Sequence, residues 1–472
     1  MIRNLLLTLT AVPLALGCAA CTRVGAPAAP RAAGVPSPLA QVEIASETLA
    51  SGMRVVYART PPVAGRPARV FVASYVLSGV FGEERLGWAH LMEHVAANNR
   101  ATVPNPYRTS EGQIVNGNAL ARPYYTSFLL IGAPEALPAM IHGRMARAGR
   151  FANEPAVFTN EVGRVVAELG RDRASLYPVY SALVAMARGR SPRLDDEVAS
   201  VTSARAETLG ATMAPIYRPE RTVLAISGDV DPGAARALVR EAEARFAWPG
   251  RTPLPVRRSA AGFRFGGRAT VASQNSGAQT AAGLAWPRPA LGDPDLLPFL
   301  VADQLLLGGR SSGADPKRSD LSPLGAQLAR SIGASELWDR QDEWSAPPMA
   351  DTGPGLYTIL FRSSRAVTPD EAAAAARAAL REIAAAGLGD AAIETAKRQL
   401  AAFYEAWLLE PNGRIIADHM VAFAAAGRDP ATLLGIPEAI RAVRPAAVRA
   451  AFRRNLLQVD PLAVVLPPMP PA

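Results

Sequence analysis

Thiols are almost absent from this chain. Its only two cysteines, Cys18 and Cys21, stand near the N-terminus. The sequence beyond Cys21 therefore has no internal disulfide, no cysteine nucleophile and no thiolate metal site. Lysine is as scarce: of 50 cationic side chains, only Lys317 and Lys397 are lysines. The formal charge of +9 is an arginine charge, scattered among 41 acids and never run in blocks. Without a basic stripe interleaved with aromatics, a nucleic-acid partner is excluded. Long apolar runs are missing past Leu16. The Ala-rich stretch Glu371 to Leu388 is interrupted by Arg377, Arg381 and Glu382 and reads as a soluble helix, not a membrane span. Histidine occurs four times, at positions 90, 94, 142 and 419.

What is present begins with an export signal. Arg3 supplies the positive region, and Leu5 to Leu16 an apolar stretch too short to span a bilayer. Ala15-Leu16-Gly17-Cys18 resembles a bacterial lipoprotein processing box, with Ala15 where Leu is usual; Cys21 is the poorer second site. The alternative is a plain secretory signal cleaved near Ala20. Cysteine placed only here favours lipidation. The expected address is the periplasm, anchored to the outer membrane through Cys18, with the lipid as the sole membrane contact. The signal occupies residues 1–21, and a Pro/Ala-rich tether without periodicity follows over 22–40.

At 472 residues the chain is too long for one ordinary core. The Ser51-Gly52 turn feeds a strand over Arg54 to Tyr57, and Val70 to Leu77 reads as a second strand. Helices are expected over Gly87 to Ala97, Pro134 to Ala148 and Pro155 to Leu169. A strand over Thr222 to Ser227 and a helix over Pro232 to Phe246 close the first part. The second part repeats the order: strand Ala278 to Leu284, helix Pro294 to Leu307, strand Leu356 to Arg362. Helices over Thr368 to Ala385, Gly389 to Leu408 and Val443 to Phe452 follow, then strand Leu462 to Leu466. These patterns predict an α+β protein of two similar halves, residues 41–250 and 268–472, joined by a Pro/Arg/Gly-rich linker over 251–267.

The chemistry lies in the first half. His90-Leu91-Met92-Glu93-His94 on a helix places both imidazoles one turn apart on one face, with Glu93 beside them. Trp88, Leu91, Met92 and Val95 form an apolar stripe on another face, so one side anchors the helix and the other is presented. The plain reading is a polar surface stripe that happens to hold two histidines; their scarcity argues for a metal pair. A catalytic zinc needs a third protein ligand and an open fourth position. Glu161 and Glu168, seven residues apart on one side of a later helix, are the candidates. Phe158, Val162, Val165, Val166 and Leu169 are that helix's expected buried stripe. From residues alone the two glutamates remain open to a second reading, a solvated acidic face bridged by Arg164.

His-x-x-Glu-His followed by Glu-x6-Glu resembles the pitrilysin-type metallopeptidases. Supporting segments are Leu49 to Val55, Gly79 with Glu83 or Glu84, and Gly87-Trp88-Ala89-His90. Asn118-Ala119, Asn160 to Glu168 and Tyr217 to Asp229 extend the likeness. The resemblance implies an α/β-sandwich pair. It also implies zinc on His90, His94 and Glu168, with Glu93 as base and Glu161 as a supporting catalytic group. Substrate backbone would pair along Asn118 and Ala119. It further implies a four-unit chamber, hence a homodimer, or a heterodimer with a related subunit. The second half of such assemblies offers an Arg and, seven residues on, a Tyr toward bound peptide; here Arg330 aligns, but Leu337 takes the Tyr place. Asn98-Asn99-Arg100 also departs from the usual exit of the motif helix. The expected activity is zinc endopeptidase action on peptides or unfolded segments; the alternative is a non-catalytic scaffold subunit of the same fold. His142 and His419 are expected to be structural.

Overall fold

The computed structural model describes residues 38–62, 65–98, 114–148, 154–246, 262–272, 278–307, 322–338, 353–410 and 413–468. Both cysteines, the export signal and most of the tether and linker lie outside those residues.

Eleven strands form two sheets among the described residues. The first contains β1 (Glu43–Thr48), β2 (Arg54–Arg59), β3 (Val70–Val76), β4 (Ile114–Ala121), β5 (Thr126–Gly132) and β6 (Thr222–Gly228). The second contains β7 (Arg268–Thr270), β8 (Thr280–Arg288), β9 (Ala334–Trp338), β10 (Gly355–Ser363) and β11 (Leu462–Leu466). Their orders are β1-β2-β6-β3-β5-β4 and β7-β11-β8-β10-β9. Without β1, the first order matches the second strand for strand. The directions match as well: β2 with β6 and β7 with β11 are parallel, and every other pair is antiparallel. The expected α+β class with two similar halves is what the chain adopts. Central strands such as β3, Val-Phe-Val-Ala-Ser-Tyr-Val, are buried on both faces, which is why they read as apolar runs without alternation.

The helices of the first half are α1 (Trp88–Asn98), α2 (Leu137–Arg147), α3 (Pro155–Asp172), α4 (Tyr177–Ala187), α5 (Leu194–Thr202), α6 (Ala206–Met213) and α7 (Pro232–Arg245). Those of the second are α8 (Leu296–Leu307), α9 (Pro323–Ile332), α10 (Pro369–Gly387), α11 (Asp390–Leu408), α12 (Arg414–Ala425), α13 (Ile436–Arg441) and α14 (Pro445–Phe452). Capping explains several starts. The Thr368 hydroxyl and the Glu371 carboxylate form a reciprocal box at α10, and Ser322 accepts from Gly325 N–H at α9.

Each sheet buries one face against helices of its own half. Met140, Ile141 and Val239 cover the first sheet, and Phe299, Leu300 and Leu380 the second. The opposite faces are covered across the halves. The α4 residues Val179, Leu183 and Val184 pack on Ala285, Leu360 and Val464 of the second sheet. In return, Ile416, Met420 and Val421 of α12 pack on Val56, Phe71 and Ala225 of the first. At Gly283 the α4 helix approaches the sheet closely. A Cβ there would lie 2.4 Å from Val179 Cγ1 and 2.9 Å from Leu183 Cδ1. Hydrogen bonds from the first sheet fasten α12: Tyr75 Oη donates to Asp418 Oδ1 at 2.5 Å, Ser227 Oγ to the Gly413 carbonyl at 2.7 Å and the Arg54 guanidinium to the Ala424 carbonyl at 2.5 Å. No described helix is long and apolar enough to cross a membrane.

Candidate functional site

Helix α1 rests on its apolar stripe: Trp88, Leu91, Met92 and Val95 are all buried, packed with Phe158, Val165 and Leu169 of α3. Its other face carries His90 and His94, whose ring centroids stand 4.8 Å apart. Helix α3 brings its glutamates against that face. Glu168 Oε2 lies 3.4 Å from His90 Nε2 and 3.3 Å from His94 Nε2. Glu161, buried, sets its Oε2 3.1 Å from His94 Nδ1 and its Oε1 3.0 Å from the Arg164 guanidinium. Arg171 reaches Glu168 at 3.6 Å. Instead of bridging a solvated face, the acids converge on the imidazoles.

Ligand-type atoms of His90, Glu93 and His94 also lie within 4.8 Å of one another. Two carboxylates therefore compete for the third ligand place. Geometry favours Glu168, because one of its oxygens touches both Nε2 atoms. A tetrahedral ion with bonds of about 2.0–2.1 Å separates its ligand atoms by about 3.3–3.4 Å. The two Glu168 contacts have that length, which is long for an N–H···O bond. The donor set of two imidazoles and a carboxylate fits zinc. The Glu161 contact orients the His94 ring, leaving Nε2 toward the others.

The electrostatics follow from packing. Burial opposes charge on His94, but the Glu168 hydrogen bond and the nearby carboxylates raise it to about 9. Hydrogen bonds from His90 and His94 hold Glu168 well below the usual carboxylate range. Glu93 is pushed up by burial, a shift opposed by the two histidines. A buried carboxyl beside two imidazoles is placed to exchange a proton with a group held between them. Tyr217, buried in the same cluster, has its hydroxyl pushed up by burial and then by Glu93.

Asn118 and Ala119 lie on β4, the edge strand beside α1. Asn118 Oδ1 accepts from the Ala119 N–H at 2.9 Å, so the side chain covers an edge amide. Arg330 is not gathered here. It is exposed on α9, which packs on α8, β9 and α10 of its own half. Leu337 is buried in the second core, so a Tyr there would have to leave that core to meet a peptide. Of the Asn98-Asn99-Arg100 exit, positions 99 and 100 lie outside the described residues. His142 packs on Phe246, and His419 is buried with Nδ1 2.7 Å from the Ile415 carbonyl, between Tyr404 and Trp407.

Sequence reasoning named Glu83 only as part of a resemblance and missed its partners. Glu83 is buried, and its two carboxylate oxygens accept from Gly87 N–H at 3.3 Å and Ala89 N–H at 2.9 Å, at the start of α1. Arg188 and Arg190, just past α4, grip the same segment. Such contacts leave no periodic trace in the sequence, because their ends are over 100 positions apart.

Comparison with known proteins agrees with this architecture. Residues 204–400 match the family model described as the Peptidase M16 inactive domain. A Helicobacter pylori protease superposes with a TM-score of 0.71 at 15% identity, over 90% of this chain and 99% of that one. A putative M16-like peptidase from Alicyclobacillus acidocaldarius gives 0.66 at 16% identity, over 91% and 99%. The periplasmic protease PqqL from Escherichia coli gives 0.60 at 13%, over 90% of this chain and 47% of that one. No curated protein matches by sequence. At these identities the likeness establishes the fold: two α/β halves of the M16 peptidase type.

Proposed function

We propose that the chain is a zinc metalloendopeptidase of the pitrilysin type, acting on extended peptides or unfolded segments in the periplasm. The observation that carries this reading is Glu168 Oε2 at 3.4 and 3.3 Å from two imidazole nitrogens, with buried Glu93 alongside. His90, His94 and Glu168 would hold the ion. Zinc supplies a Lewis acid for the scissile carbonyl and a water of lowered pKa. Glu93 takes a proton at its carboxylate and returns it to the leaving amine. Glu161 keeps His94 turned through Nδ1. The edge of β4 at Asn118 and Ala119 receives the peptide as an added strand, displacing the Asn118 side chain from the Ala119 amide. Two chains would close the chamber. A related subunit supplying the Arg and Tyr suits a chain whose Leu337 is committed to its core. Lipid attachment at Cys18 would hold the assembly at the outer membrane.

The scaffold alternative draws support from the word "inactive" in the matched family description. That match spans residues 204–400, which contain none of His90, Glu93, His94, Glu161 or Glu168. The test is Glu93→Gln in the purified chain, alone and with a candidate partner. Zinc near one per chain should persist, while turnover of an unstructured peptide falls by about 10²–10⁴-fold. Unchanged turnover would remove Glu93 from the chemistry, and zinc-loaded wild type without activity in either setting would favour the scaffold.

A further inference from the structure

The start of α1 is held by a nearby carboxylate whose loop is fixed by residues far away in sequence. Glu83 accepts from Gly87 and Ala89, and Ala89 immediately precedes His90. The loop bearing Glu83 is itself clamped. Arg188 donates to the Val80 carbonyl at 2.6 Å and the Glu83 carbonyl at 3.2 Å. Arg190 donates to the same Glu83 carbonyl and stands 3.6 Å from Glu83 Oε1. Both arginines follow α4, the helix seated on the second sheet at Gly283. The linker segment leading into the second half also holds the end of α4, since Arg264 N–H donates to the Ala187 carbonyl at 2.8 Å. On the other side, a Cβ on Gly87 would lie 2.8 Å from Glu197 Cγ, so α5 packs the turn from behind.

We propose that the second half, which contributes no ligand, acts on the candidate zinc site through α4: Arg188 and Arg190 fix the Glu83 cap, and the cap sets the orientation of the helix presenting His90, Glu93 and His94. Glu83 and Arg190 are positioning residues. The inference rests on the zinc-peptidase reading. Its physical basis is that ligand sets lose affinity and rate when the groups orienting them are loosened. A guanidinium fork on a backbone carbonyl restrains position and direction together.

The test uses the full chain, with zinc affinity read by chelator competition, folding by thermal melt, and kcat and KM on an unstructured peptide. Arg190→Ala and Glu83→Ala should each weaken zinc binding by about 10–100-fold and lower kcat by a similar factor, with KM nearly unchanged. Glu83→Gln keeps one acceptor, enough for the Ala89 N–H, and should bind zinc more tightly than Glu83→Ala. Gly283→Ala, which touches neither cap nor ligands, should shift zinc affinity in the same direction by about threefold, because the α4 seat has no room for a Cβ. A folded Arg190→Ala protein with wild-type zinc affinity and kcat would overturn the relay alone. If Arg190→Ala does not fold, Gly283→Ala decides, and wild-type zinc affinity there overturns it. Wild-type protein that binds no zinc would overturn both the relay and the reading beneath it.

Discussion

Helices α1 and α8 each follow the strand at the same place in their sheets, β3 and β8, yet only one carries a site. Helix α1 buries Trp88, Leu91, Met92 and Val95 and leaves His90 and His94 partly open. Helix α8 is buried nearly all round, from Leu296 and Phe299 through Asp303 and Gln304 to Leu307. A helix enclosed on every side has no face left for a substrate. One half presents the candidate site and the other packs against it. Polar groups in α8 serve packing: Gln304 bonds Gln399 of α11 at 3.3 Å.

That division can be broken most severely by separating the halves. Residues 268–472 expressed without the rest lose α4 from the second sheet, and their α12 loses the first sheet. We expect no cooperative melting transition by calorimetry; a sharp one would mean the exchanged helices are dispensable. Next, Leu300→Ala in α8 should cost about 2–5 kcal/mol in denaturant unfolding, as buried leucines do. His90→Ala in the metal-free protein should cost less than about 1 kcal/mol, because its partner contact is partly exposed to solvent. Equal costs would erase the contrast between the helices.

The cap at α1 gives a pH test of comparable size. Burial, and then the Glu197 charge, push the Glu83 carboxyl from 4.5 to about 7, against a lowering hydrogen bond from Ala89. Its folded value lies above its unfolded one, so the folded state holds the proton longer. Stability from this group is therefore full below pH 4.5 and is lost as pH rises toward 7, by on the order of 3 kcal/mol. Wild type minus Glu83→Gln, measured by urea unfolding from pH 4 to 8, should show that decline. A flat difference would put Glu83 at its ordinary value. A metal-affinity effect is expected at Glu161→Ala, which leaves all three proposed ligands and frees the His94 ring. Zinc affinity should weaken by about 10–100-fold, with one site per chain retained. Complete loss of zinc would make Glu161 a ligand.

Legibility along the chain follows how local the determinants are. Strand β11 is legible at its observed limits, Leu462 to Leu466, and α1 to within a residue or two. Both carry their period in consecutive residues. Nothing was read between Leu169 and Tyr217, where α4, α5 and α6 lie. The Tyr-Pro-Val-Tyr-Ser-Ala-Leu-Val-Ala-Met-Ala run of α4 lacks a polar stripe, because it is enclosed between its own half and the second sheet. Strand β1 and the α9–β9 pair were missed as well. They are short, and their partners lie far along the chain.

By itself the sequence determined the α+β class, the repeated order of elements and the pairing of two imidazoles on one helix. Helical and strand periods, and one-turn spacing of His90 and His94, are written in neighbouring positions. Only the tertiary structure decided which carboxylate meets both imidazoles, where Glu161 points, and that α4 and α12 are exchanged between the sheets. Those outcomes depend on how separate elements pack, and packing is set by the shapes of surfaces that meet only after folding. Leu337 and Glu83 mark the difference: one enters the core and the other caps α1, and neither fate is encoded by the residues beside it.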